Sequence, residues 1–133
     1  MRVNVSISQG ALNSAGPLRI EEAGAVICFE GVVRGIENGR LLRGLDYEAY
    51  EPMALRELDA LAHDVARRHC RLAIQVEHST GSVGVGETSF RLQVASVHRA
   101  EGIAAVDEFI NRLKQEVPLW KVPVLRDTNR AIA

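Results

Sequence analysis

Fourteen of the sixteen basic residues in this 133-residue sequence are arginine, and the two lysines are Lys114 and Lys121. Arginine keeps its proton, whereas a lysine can lose one and act as a base or nucleophile. Where arginine fills nearly every general cationic role, the two lysine positions are the first places to look for chemistry. They stand seven residues apart, which on an unbroken helix would be two turns and one face. Pro118 lies between them and ends or kinks that helix. Trp120 beside Lys121 marks a packed segment rather than a free tail. The ordinary alternative is Lys114 complementing a helix C-terminus and Lys121 in solvent.

Other cationic positions are Arg34 at a strand end and His98-Arg99 at a strand-to-helix junction. Helix N-terminal N–H groups point outward at such a junction, and an arginine fork beside them suits a phosphate. A capping histidine and a surface arginine would look the same. His63, His69 and His78 show no metal-ligand spacing with Cys70, and no CxxC occurs. Cys28 and Cys70, widely separated, are expected to be buried thiols. Gly84-Val85-Gly86 is too short for a nucleotide loop. Glu48 and Glu51 read as a solvated strand-to-helix rim.

The elements that must position these residues follow from periodicity. Residues 2–8 alternate as a short strand, and 25–33 is apolar and rich in β-formers. The segment 34–40, with Asn38-Gly39, reads as a mobile loop, and 41–50 resumes as a strand. Pro52 suits a first helical turn. Leu55, Leu58, Leu61, Ala62 and Val65 then make one apolar stripe on a helix ending near Cys70. Leu72, Ile74 and Val76 alternate; Gly81, Gly84 and Gly86 mark a loop; a further strand runs from Phe90 to about Val97. A last helix begins near Arg99 and buries Ile103, Val106, Phe109, Ile110 and Leu113. The tail 122–133 has no clear period. The expected architecture is α+β, a mostly antiparallel sheet with helices packed on it, in a single domain over residues 1–133.

Bulk properties narrow the function. Apolar residues make up 47%, and seventeen acidic residues balance sixteen basic ones. Near-neutrality argues against broad binding to nucleic acid or anionic membrane. No apolar run approaches the roughly 20 residues of a bilayer span, and the N-terminus lacks a signal-peptide core. A cytoplasmic protein is expected, with no metal or cofactor.

The stretch Leu45-Asp46-Tyr47-Glu48-Ala49-Tyr50-Glu51-Pro52-Met53-Ala54 resembles a signature of the large, catalytic subunits of molybdopterin synthase, the MoaE family. So do Phe29-Glu30-Gly31-Val32-Val33-Arg34, Val85-Gly86-Glu87, Ser96-Val97-His98-Arg99, Leu113-Lys114 and Val117-Pro118-Leu119-Trp120-Lys121. Their order and spacing match the family over roughly residues 20–121, and the sheet-and-helix fold expected above is α/β-hammerhead-like in that family. The two functional lysines of the family fall on Lys114 and Lys121.

The resemblance implies sulfur transfer from the C-terminal thiocarboxylate of a small ubiquitin-like partner, whose Gly-Gly tail enters the large subunit, to cyclic pyranopterin monophosphate. A dithiolene is the product, and the assembly is a homodimer of large subunits within a heterotetramer. By the same resemblance Val33, Arg34, His98 and Arg99 bind substrate. Lys114 serves as acid/base or transient acceptor of the partner's carbonyl, and Lys121 assists proton transfers and holds anionic groups. Many relatives continue after the second lysine with a basic residue and a glutamate; Val122 and Pro123 stand here instead. The tail is short and lacks a tryptophan, with Arg126 or Arg130 as its basic contact. An alternative is a copy that binds the partner's tail with little or no turnover.

Overall fold

The spine of the sheet is a twelve-residue strand, β5 (Ala73–Gly84), which pairs with three neighbours along its length. In this computed structural model, which describes residues 1–126 with the Cys70 side chain left out, chain order is β1 (Arg2–Gln9), β2 (Ala25–Val32), β3 (Ile36–Glu37), β4 (Arg40–Ala49), α1 (Met53–Val65), β5, β6 (Thr88–Ser96), α2 (Arg99–Glu116) and β7 (Leu119–Leu125). The first half of β5 pairs in parallel with β1, from Arg2↔Ala73 to Gln9↔Thr80, and antiparallel with β6, from Ala73↔Ala95 to His78↔Phe90. Its second half pairs antiparallel with β4, from Tyr47↔Gly81 to Gly44↔Gly84. β2 lies outside β6, and β3 and β7 both pair with β4. The sheet is therefore mostly antiparallel, with helices on it, as the sequence predicts.

Alternation places Ile74 and Val76 of β5 and Phe90, Leu92 and Val94 of β6 on one face. There they meet Leu58, Leu61, Ala62 and Val65 of α1 and Ala105 and Phe109 of α2. The other face is covered by residues 10–24. Leu18 packs on Ala73 and Ala95. Gln93, itself buried, accepts the Leu18 N–H at 3.0 Å and donates to the Gly16 carbonyl at 3.2 Å. A buried amide satisfied at both ends stabilises that cover instead of opposing it.

Several expectations need correction. Both helices are turned slightly from the predicted faces. The α1 stripe starts at Ala54, and Leu55 is exposed. On α2 the sheet-facing position is Gly102: a Cβ there would lie 2.6 Å from Ser96 Oγ and 2.9 Å from Ile27 Cδ1. Ile103, about 100° further round the helix, points to solvent. Cys28 is exposed, because β2 is an edge strand; the Cys70 side chain lies outside the described residues. Residues 34–40 form a hairpin, with Asn38 and Gly39 at φ 54° and 73° between the paired Glu37 and Arg40. The glycines at 81 and 84 belong to β5. Residues 119–125, which include the start of the tail 122–133 read as aperiodic, form β7 along β4, from Ala49↔Leu119 to Leu42↔Leu125. β7 shows little alternation because most of its residues are exposed, and an edge strand tolerates Pro123.

The C-terminal half of α2 is fixed by charge as well as by packing. Arg112 Nη1 donates to Asp64 Oδ2 at 2.6 Å and Glu108 Oε2 at 2.9 Å, and its Nε donates to Glu116 Oε2 at 2.6 Å. His69 Nε2 lies 2.9 Å from Glu108 Oε1. Hydrogen bonds from Arg112 hold the Asp64 and Glu116 carboxyls below the usual carboxylate range, and the His69 bond does most of the same for Glu108. This network joins the end of α1 to the last two turns of α2, the part of the helix that carries Lys114.

Candidate active site

Pro118 ends α2 and the chain doubles back. Val117 is buried, the Tyr50 N–H donates to the Pro118 carbonyl at 3.0 Å, and β7 then runs beside β4 with Lys121 opposite Tyr47. The reversal brings the two lysines to one cavity of about 250 Å³, where Arg34, Glu37, Tyr47 and His78 also contribute. A neighbouring depression of about 490 Å³ shares Tyr47, His78 and both lysines and adds Leu119 and Trp120. The lysines thus line one cavity, brought there by a strand reversal rather than by two turns of one helix.

Lys121 Nζ donates to Glu37 Oε1 at 3.1 Å, and Arg34 Nη2 stands 4.0 Å from the same oxygen. Glu37 Oε2 is enclosed and has no hydrogen-bond partner. The Tyr47 and Ser89 hydroxyls are 2.8 Å apart, and Trp120 Nε1 donates to Glu48 Oε2 at 2.8 Å. Three cationic side chains and one carboxylate line this cavity, an excess of positive charge suited to a ligand that carries negative charge.

The other predicted residues lie elsewhere in the chain. His98 precedes α2 and Arg99 begins it; both are exposed, and the His98 backbone N–H donates to Glu101 Oε1 at 2.8 Å. Lys114 is fifteen residues further along α2, so about 22 Å of helical rise separates it from Arg99. One chain does not bring His98-Arg99 to the lysines. Val33 is buried with Leu42, Leu45 and Val83. Its N–H donates to Glu87 O at 3.0 Å and its carbonyl accepts from Gly86 at 2.9 Å, so it anchors Arg34 and presents no open polar group. Arg126 lines a separate, larger and more open depression of about 600 Å³ with Arg43. Arg130 lies outside the described residues.

Sequence reasoning missed Glu37, Tyr47 and His78. Glu37 was hidden in what reads as a loop, yet it follows Arg34 by three residues at a tight turn. His78 did leave a trace: it occupies the core-facing position after Ile74 and Val76, where an apolar residue would be expected.

The chain is thus a small α+β scaffold whose cation-rich pocket, between a helix end and a doubled-back strand, is suited to an anionic ligand. Comparison with known proteins sharpens that description. The family model described as MoaE protein matches residues 5–116. A protein of Arabidopsis thaliana named molybdopterin synthase catalytic subunit is 42% identical over 103 residues, 77% of this chain and 52% of that one. A Thermoplasma volcanium protein of the same name is 35% identical over 112 residues, covering 84% of this chain and 82% of that one. The crystal structure of molybdopterin synthase from Staphylococcus aureus superposes with a TM-score of 0.76 at 29% identity, over 86% of this chain and 84% of that one. The chain spans about half the length of the Arabidopsis relative and most of the archaeal one. It belongs to the MoaE family.

Proposed function

We propose that this chain is the catalytic subunit of a molybdopterin synthase, acting in the cytoplasm. It takes sulfur from the C-terminal thiocarboxylate of a small ubiquitin-like partner ending in Gly-Gly and installs it on cyclic pyranopterin monophosphate to form the dithiolene. The observation that carries this reading is the convergence of Lys114 and Lys121 on one cavity beside Arg34. Lys114, at the junction of both depressions, serves as acid/base or as transient acceptor of the partner's carbonyl carbon. Lys121 holds anionic groups and assists proton transfer. Arg34 offers a fork of donors to the substrate phosphate. The depression beside Leu119 and Trp120 is the entry for the extended tail.

His98 and Arg99 contribute from a second copy of the chain. In one chain they stand too far from the lysines to touch the same small molecule, whereas a homodimer can set the N-terminus of one α2 against the lysine pocket of its mate.

The test is reconstitution: purified chain, thiocarboxylated partner and cyclic pyranopterin monophosphate, with dithiolene formation as the readout. Product in stoichiometric yield supports the reading. Binding of partner and substrate without product would instead favour a copy that retains the groove and has lost turnover.

A further inference from the structure

His78 occupies a position that packing alone would fill with an apolar side chain. It follows Ile74 and Val76 on the helix-facing side of β5, opposite Phe90, and is only 6% exposed. Burying an imidazole costs free energy unless its nitrogens are used. One of them is: Nδ1 lies 2.8 Å from the Ser79 carbonyl oxygen. A carbonyl only accepts, so Nδ1 carries the proton and Nε2 of the neutral ring carries a lone pair. Burial pushes the ring's pKa down from its ordinary value, which favours that neutral form.

Nε2 has no hydrogen-bond partner among the described residues, and it is not an enclosed atom, since Glu37 Oε2 alone is both enclosed and unpartnered there. It therefore opens to the cavity that His78 lines with Lys114 and Lys121. The cationic groups in that cavity only donate. The Tyr47 hydroxyl is paired with Ser89, and Glu37 is engaged by Lys121. His78 Nε2 is thus a neutral acceptor that opens to the pocket. Aromatic rings wall it: Tyr47 meets it edge-on at 5.2 Å and Phe90 is tilted at 5.6 Å.

We infer that His78 is a specificity-determining residue, whose Nε2 accepts a hydrogen bond from an N–H on the planar nitrogen heterocycle of the substrate. The inference rests on the functional reading above and extends it from the anionic end of the ligand to its ring. Flat aromatic walls beside a single lone pair favour a ring over an extended peptide. A heterocycle lacking the donor would leave the acceptor bare, a loss that binding sites register strongly.

Calorimetric titration with cyclic pyranopterin monophosphate, and separately with a synthetic peptide ending in Gly-Gly, tests this on wild type, His78→Phe and His78→Gln. Phenylalanine keeps the ring packing and removes the acceptor; glutamine can return one. His78→Phe should weaken pterin binding about 5- to 150-fold, the effect of an unpaired buried group. His78→Gln should recover most of that loss, and in His78→Phe the pterin should lose more affinity than the peptide, whose proposed entry His78 also lines. In wild type the ¹⁵N resonance of His78 Nε2 should move on adding the pterin, which a purely structural histidine would not show. Unchanged pterin binding by folded His78→Phe, equal loss in both variants, a loss confined to the peptide, or a static Nε2 resonance would each overturn the inference. Failure of the wild type to bind the pterin would overturn the functional reading and this inference with it.

Discussion

Glu37 holds the place that an incoming anion would take. Its Oε1 accepts from Lys121 at 3.1 Å, while Oε2 is enclosed without a donor, so only half of the carboxylate is compensated. Glu37→Gln keeps the size and removes the competing charge. The Lys121 side chain is 50% exposed and that of Glu37 19%. A half-exposed pair of this kind is worth about 0.5–1 kcal/mol net, so losing it should tighten an anionic ligand by about 2- to 5-fold. Titration of wild type and Glu37→Gln with the substrate phosphate at low salt measures the change, and added salt should shrink it. The gain should vanish in a Lys121→Ala background, since the competition is for that ammonium. Weaker binding by Glu37→Gln, or an equal gain with Lys121 absent, would refute the reasoning and make Glu37 a ligand contact in its own right.

Phe109 is fully buried and stacks on Phe90 at 6.2 Å, five residues before Lys114. Phe109→Ala should cost about 3–5 kcal/mol in urea unfolding, and a loss under about 2 kcal/mol would show that α2 is held mainly by the Arg112 network. The unfolded chain takes up a proton on His78 near pH 6.5 while the folded chain resists it, so stability should fall as pH drops below about 6.5. Asp64, Glu108 and Glu116, with lowered pKa values, should add a further loss as pH falls below their ordinary values of 3.8 to 4.5; the urea midpoint between pH 8 and 3 checks both steps, and His78→Phe should flatten the first. If His98-Arg99 serves the pocket of a second copy, inactive Arg99→Ala and Lys114→Ala proteins should regain activity when mixed and allowed to exchange subunits; no recovery would place both residues in one copy's site or outside it.

Much of the sheet was legible because β5 and β6 alternate strictly and α1 and α2 carry apolar stripes. The helix faces were less so. Sequence period locates a stripe to within about one residue, and Gly102 offers no hydrophobic signal although it sets the closest approach of α2 to Ser96. β7 was hidden because an exposed edge strand needs little alternation. At the site, the scarcity of lysine pointed to Lys114 and Lys121 directly. Their partners were not readable, since Glu37, Tyr47 and His78 come from three different strands and meet only through the β3–β4–β5 pairing. The roughly 22 Å between Arg99 and Lys114 follows from the length of α2, but not which copy of the chain His98-Arg99 serves.

The most direct test is a single-turnover reaction of Lys114→Ala with thiocarboxylated partner and cyclic pyranopterin monophosphate, after gel filtration has shown that the variant still binds the partner. No dithiolene should form, while Lys114→Arg, which keeps the charge and loses the ability to give up a proton, should fare no better. Turnover by Lys114→Ala at the wild-type rate would contradict the account.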